Sequence, residues 1–211
     1  MPAAGPSHVR HNRLTCRSRS RRILLDRSFR QGENVQDLSK LILDVPDFPK
    51  PGVLFKDFTP LLGDPRGLAL AIEYMTNPFR GLNIDTVIGA ESRGFIFGIA
   101  VAQALSAGFV PVRKAGKLPR QVRAVQYALE YGTDRLEMHA DALKNAKRVL
   151  IVDDLLATGG TLEACAQLVR ETAKPTGGVE IVGVSVLIEL TALSGVRKIR
   201  DCGLVQSVLK Y

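Results

Sequence analysis

The run RVLIVDD, Arg148–Asp154, constrains the architecture more than any other stretch of the chain. Val149 to Val152 are apolar at both odd and even positions. A strand of that kind carries apolar side chains on both of its faces, so it belongs in a sheet covered on both sides. TVIGA (Thr86–Ala90), FVPVR (Phe109–Arg113) and EIVGVSVLIEL read as strands in the same way, and GLVQSVLKY is a further candidate. Helical patterns separate them: RGFIFGIAVAQALSAG, ending near Gly108, and Thr161–Thr172. Strands alternating with helices give an α/β fold with a mostly parallel sheet flanked by helices. Ligands in such folds sit beyond the carboxyl ends of the strands.

Other segments depart from this alternation. Val35, Leu38, Ile42 and Leu43 recur at helical spacing, which predicts a helix from about Glu33. Pro46, Pro49, Pro51, Pro60 and Pro65 follow and lock their backbone, so this stretch reads as an irregular excursion with at most a short edge strand at Val53–Lys56. Asp64-Pro65 opens a helix running to about Asn77. VQYALEY and RLEMHA alternate around Gly132-Thr133 as a hairpin.

The net charge of +8 points first to nucleic acid, but its distribution does not. Residues 1–30 hold eight arginines and one acid, which leaves residues 31–211 at +1. The arginine-rich tail has almost no apolar periodicity and reads as disordered. A dispensable extension, an organelle transit peptide and an arm for an acidic partner all remain open for it. The remainder is one domain, residues 31–211, for which neither nucleic acid nor membrane is expected as a partner. No apolar run approaches the roughly 18 residues of a spanning helix. Cys16, Cys165 and Cys202 form no CxxC, and the histidines form no ligand-spaced cluster. A disulfide framework or zinc site is therefore not expected, and a reducing compartment is.

The chemistry concentrates in VLIVDDLLATGGT, Val149–Thr161. Gly159 and Gly160 let backbone approach a ligand closely, and the N–H groups opening the next helix are donors without helical partners. With the Thr158 and Thr161 hydroxyls they form a cradle for a phosphate. There is no lysine of the triphosphate-binding loop and no GxGxxG. Asp153 and Asp154, ionised, accept hydrogen bonds only, which suits the vicinal hydroxyls of a ribose whose 5-phosphate lies in ATGGT.

This segment resembles the phosphoribosyl-diphosphate (PRPP) motif of type I phosphoribosyltransferases at every position. DFPKPGVLFKDFTPLL, GAESRGFIFG, RKAGKLP and YALEYGTDRLEMHADAL resemble the corresponding stretches of the adenine phosphoribosyltransferases, in that family's order. The likeness covers roughly residues 33–211. It implies transfer of the 5-phosphoribosyl group of PRPP to adenine, giving AMP and diphosphate in purine salvage. It also implies Mg²⁺ held mainly through PRPP and diphosphate rather than in an all-protein site, a cytoplasmic homodimer, a small hood at about residues 31–62 and a flexible hairpin lid at about 113–132.

Carried over residue by residue, the resemblance makes Ala157, Thr158, Gly159, Gly160 and Thr161 the 5-phosphate loop, with Asp153 and Asp154 on the ribose. Glu91, Ser92, Arg93, Arg113, Lys114 and Lys117 fall to the diphosphate, and Val53, Phe55, Lys56 and Leu155 to the adenine. Glu130 mediates the loss of a ring proton and Tyr131 orders the lid; Glu130, Asp153, Asp154 and Arg93 form the catalytic set. Val122 stands where the family often has a threonine. Two rival readings are a PRPP-sensing regulator and a phosphoribosyltransferase for another base. The first lacks a DNA-binding module, and the hood sequence disfavours the second by analogy.

Overall fold

The computed structural model describes Met1, residues 35–128 and residues 133–211. The arginine-rich tail, Glu130, Tyr131 and the turn of the expected hairpin lie outside the described residues. In chain order the elements are α1 (Val35–Ser39), β1 (Leu43–Val45), β2 (Phe55–Asp57), α2 (Thr59–Gly63), α3 (Pro65–Thr76), β3 (Thr86–Ala90), α4 (Gly94–Leu105) and β4 (Gly108–Lys114). There follow β5 (Val122–Ala128), β6 (Thr133–His139), β7 (Arg148–Leu156), α5 (Gly160–Ala173), β8 (Glu180–Glu189) and β9 (Leu204–Lys210), with short 3-10 turns between some of them.

Seven strands form one sheet in the order β5-β6-β4-β3-β7-β8-β9. From β4 to β9 neighbours run parallel, and β6 joins both β4 and β5 antiparallel. This is the expected α/β fold with a mostly parallel sheet. The double-faced character of β7 is visible in its packing. Leu150 and Val152 join Val87, Phe97 and Val101 in a core on one side, with Met75 and Phe79 of the α3 region. Val149 and Ile151 join Ile88, Val112, Leu162 and Cys165 in a core on the other, under α5.

Local chemistry explains where the elements begin and end. Asp64 caps α3 by accepting the Gly67 N–H at 2.6 Å, with Pro65 in the first turn. The α4 helix stops before Gly108 because Ser106 takes the left-handed conformation (φ 57°), while Gly108 already belongs to β4.

The N-terminal region differs from expectation. The first helix has only five residues, and Leu43 leaves it for β1, where it is exposed. The edge strand lies at Phe55–Asp57 rather than Val53–Lys56, and it pairs antiparallel with β1. The proline-rich excursion also holds α2, with Pro60 in its first turn. The hairpin strands start earlier than read, so Val122 opens β5 opposite His139.

Candidate active site

Asp153 and Asp154 do not end their strand; β7 runs on to Leu156. Both are buried, and Asp153 Oδ1 accepts the Asp154 N–H at 2.9 Å. Arg93, at the start of α4, places a guanidinium nitrogen 3.0 Å from Asp154 Oδ2. Burial, reinforced by the neighbouring Asp154 charge, pushes the Asp153 carboxyl well above the ordinary carboxylate value. Burial also raises Asp154, with Arg93 opposing it. Close approach of α4 makes this possible: a Cβ on Gly94 would stand 2.6 Å from Asp153 Oδ1.

The expected phosphate loop, Ala157–Thr161, follows β7 directly and leads into α5. Gly159 has φ 80°, and a Cβ there would lie 2.4 Å from the Gly195 carbonyl oxygen. Thr161 lies beside the Tyr127 phenol of β5. Gly195, against which the loop rests, is not among the residues singled out in the sequence, and no motif marks it.

Four of the six expected diphosphate residues, Glu91, Arg93, Arg113 and Lys114, take part in ion pairs. Glu91 Oε2 accepts from Arg113 Nε at 3.2 Å and from the Lys114 N–H at 2.9 Å. The Glu91 N–H itself donates to Val112 O. Burial pushes the Glu91 carboxyl up, but the Lys114 N–H and the Arg113 guanidinium outweigh it and hold it below the ordinary value. Lys114 Nζ lies 3.3 Å from Asp134, and Lys117 is exposed. Ser92 is exposed at the same end of the sheet.

The expected adenine residues are only partly together. A cavity of about 320 Å³ is lined by Val45, Phe48, Phe55, Asp57, Phe58, Thr59 and Arg93. Phe55 stands edge-on to Phe48, with ring centroids 5.1 Å apart, and the Arg93 guanidinium lies 5.4 Å from the Phe55 ring. Asp57 accepts from both the N–H and the hydroxyl of Thr59, each at 2.9 Å.

Val53, Lys56 and Leu155 are outside the cavity lining. Lys56 points its ammonium at Asp44, 2.6 Å away, and lies 4.0 Å from the centroid of the Tyr211 ring. Leu155 packs against the core on the α4 side. Val53 offers a carbonyl that already accepts the Phe48 N–H at 3.2 Å. Of the cavity residues that sequence reasoning missed, Phe58 had a signal: it follows Phe55 at i+3 in FKDF.

Comparison with known proteins places this geometry in context. A model of the phosphoribosyl transferase domain matches residues 62–202. An adenine phosphoribosyltransferase of Acaryochloris marina is 55% identical over 175 residues, covering 83% of this chain and 99% of that protein. The crystal structure of adenine phosphoribosyltransferase from Rhodothermus marinus superposes with a TM-score of 0.76 at 51% identity, over 84% of this chain and 98% of that one. The APRTase of Giardia lamblia, complexed with 9-deazaadenine, gives a TM-score of 0.78 at 38% identity, over 85% and 98% of the two chains.

Proposed function

The chain belongs to the phosphoribosyl transferase family and, within it, to the adenine phosphoribosyltransferases, and from that premise we propose how its residues divide the work. The reaction breaks the bond from the sugar C1 to the diphosphate oxygen and forms one from C1 to adenine N9. The N9 proton leaves, and AMP and diphosphate are the products. The observation that carries the assignment is the buried Asp153–Asp154 pair, tied to Arg93 and followed at once by the glycine loop at the start of α5.

In this reading the paired carboxylates accept the ribose hydroxyls and their charge favours a cationic C1. Thr158, Thr161 and the N–H groups of Ala157–Thr161 hold the 5-phosphate. Arg93, Arg113, Lys114 and Lys117, with the Ser92 end of the sheet, face the diphosphate. Glu91 acts through Arg113, to which its carboxylate is bound. Adenine occupies the aromatic cavity with Phe55 and Arg93 beside its ring. Val53 and Lys56 contribute main chain only, since the Lys56 side chain is committed to Asp44 and Tyr211.

Two carboxylates against one guanidinium leave residual negative charge at the ribose site, which fits a magnesium ion brought in on PRPP. Among the described residues no group of three or more His, Cys, Asp or Glu could hold a metal alone. When bound, such an ion would supply positive charge where the leaving group's charge develops. A second copy of the chain is the occupant we assign to the exposed Ile96 and Ile99 of α4, giving a homodimer. Buried free Cys165 and Cys202 suit a cytoplasmic enzyme. Among the described residues no helix is long and apolar enough to cross a membrane.

Glu130 is assigned the N9 proton on the strength of the family motif, and Tyr131 the ordering of the lid. The expected result for Glu130→Gln is a kcat lower by ~10²-fold with PRPP affinity retained, because proton transfer matters only in the reaction step. Single-turnover rates and equilibrium PRPP binding check it. Unchanged kcat with weakened PRPP binding would make Glu130 a binding group instead.

A further inference from the structure

Glu137 has no role in the site as described so far, yet it is a nearly buried carboxylate at its edge. It sits on β6 opposite Arg113 of β4. Its Oε2 accepts the Gly116 N–H at 3.0 Å, and its Oε1 pairs with Arg135 at 2.9 Å. Gly116 has φ 74°, so it forms the bend of the turn between Lys114 and Lys117. From the opposite side, Glu91 accepts the Lys114 N–H. Two carboxylates therefore hold alternate main-chain donors of one basic turn.

Negative charge beside a diphosphate site opposes the ligand unless it does something else. Here the main chain is held while the Lys117 side chain is left exposed. A free turn would pay its ordering entropy when the ligand binds; a held one has already paid it. Hydrogen bonds from N–H groups to carboxylates are among the stronger ones available for this.

We propose that Glu137 is a positioning residue: by accepting the Gly116 N–H it fixes the turn that presents Lys114 and Lys117, so the cations are in place before PRPP arrives. This rests on the reading of Lys114 and Lys117 as diphosphate ligands. Glu137→Met fills the buried space without an acceptor, Glu137→Gln keeps an acceptor, and Arg135→Ala removes only the ion pair. Glu137→Met is expected to raise KM for PRPP and Kd for diphosphate by ~10-fold or more, with KM for adenine unchanged. Glu137→Gln should restore most of that loss, and Arg135→Ala should stay near wild type.

In the unliganded wild-type protein the Gly116 amide should be protected from hydrogen exchange, a readout that needs no variant. Wild-type PRPP binding in Glu137→Met, an equal rise in adenine KM, reproduction of the effect by Arg135→Ala, or a freely exchanging Gly116 amide would each overturn the proposal. Lys114→Ala and Lys117→Ala are measured alongside. Unchanged PRPP binding in both removes the diphosphate reading and the proposal with it. Weakened binding there, with none in Glu137→Met, removes the proposal alone.

Discussion

Asp153→Asn and Asp154→Asn should each lower kcat/KM for AMP formation by ~10²–10³-fold, the scale of one preorganised electrostatic contact. Asparagine keeps the shape, but its NH₂ meets a ribose hydroxyl as a donor and its charge is gone. The Asp153 change should also stabilise the fold. Burial, with the Asp154 charge, raises the Asp153 carboxyl in the folded state. The folded chain then holds its proton to higher pH than the unfolded chain does. Stability from this group is present below the unfolded carboxylate value and is lost as pH rises through the folded one.

At neutral pH the wild type therefore carries a cost, of burying the charge or of taking up a proton on folding, that Asp153→Asn does not. The variant should melt higher at pH 7, by about 2–4 °C per kcal/mol for a chain of this size, and the difference should shrink in acid. Activity has the opposite slope: the acid limb of kcat/KM should lie above the ordinary carboxylate range, because the hydroxyl-accepting form is the ionised one. Two Asn variants with near-wild-type turnover would remove the pair from the ribose. Melting below wild type at pH 7 would show that the pair is structural.

Adenine should exceed hypoxanthine in kcat/KM by ~10⁴-fold or more, the range reached by sites built around one hydrogen bond. The two bases share a flat ring and differ at the six-position, where one offers an NH₂ donor and the other a carbonyl. Stacking on Phe55 cannot separate them. The cavity can, through its acceptors. Asp57 brings a carboxylate to the lining. The Val53 carbonyl, outside the lining, already receives the Phe48 N–H and keeps one lone pair, so it serves the amine only where the base extends past the cavity residues. Hypoxanthine would set its own carbonyl against these acceptors and leave them unpaired. Phe55→Ala should weaken adenine binding by at least the ~0.5–1.5 kcal/mol of a lost aromatic contact while sparing PRPP. Comparable kcat/KM for the two bases would overturn the substrate but leave the reaction class standing.

The sheet was legible because its central strands are apolar on both faces, a pattern that survives without knowing any neighbour. The helix α3 was legible through its Asp64-Pro65 start. The β1–β2 pair was not. It spans only three residues, joined across the ladder by Lys56 and Asp44, and from outside it the Tyr211 ring meets the Lys56 ammonium. No period in the sequence records such a contact. The same division runs through the site. Asp153, Asp154 and the glycine loop lie within one strand–loop–helix unit, so their chemistry can be read in a line. The cavity is assembled from the β1 region, the β2–α2 region and Arg93, and only folding brings Val45, Phe55 and Arg93 to one space. The ion pair of Glu91, just after β3, with Arg113 of β4 joins residues far apart in the chain, so the sequence does not show it.

The most direct test of the central claim is the stoichiometry of one reaction. Purified wild-type protein is mixed with PRPP, adenine and magnesium, and nucleotide and diphosphate are quantified over time. AMP and diphosphate are predicted to appear in equal amounts as both reactants are consumed, with no nucleotide when adenine is omitted. PRPP that binds but is never converted, as in a sensing regulator, would contradict phosphoribosyl transfer at this site.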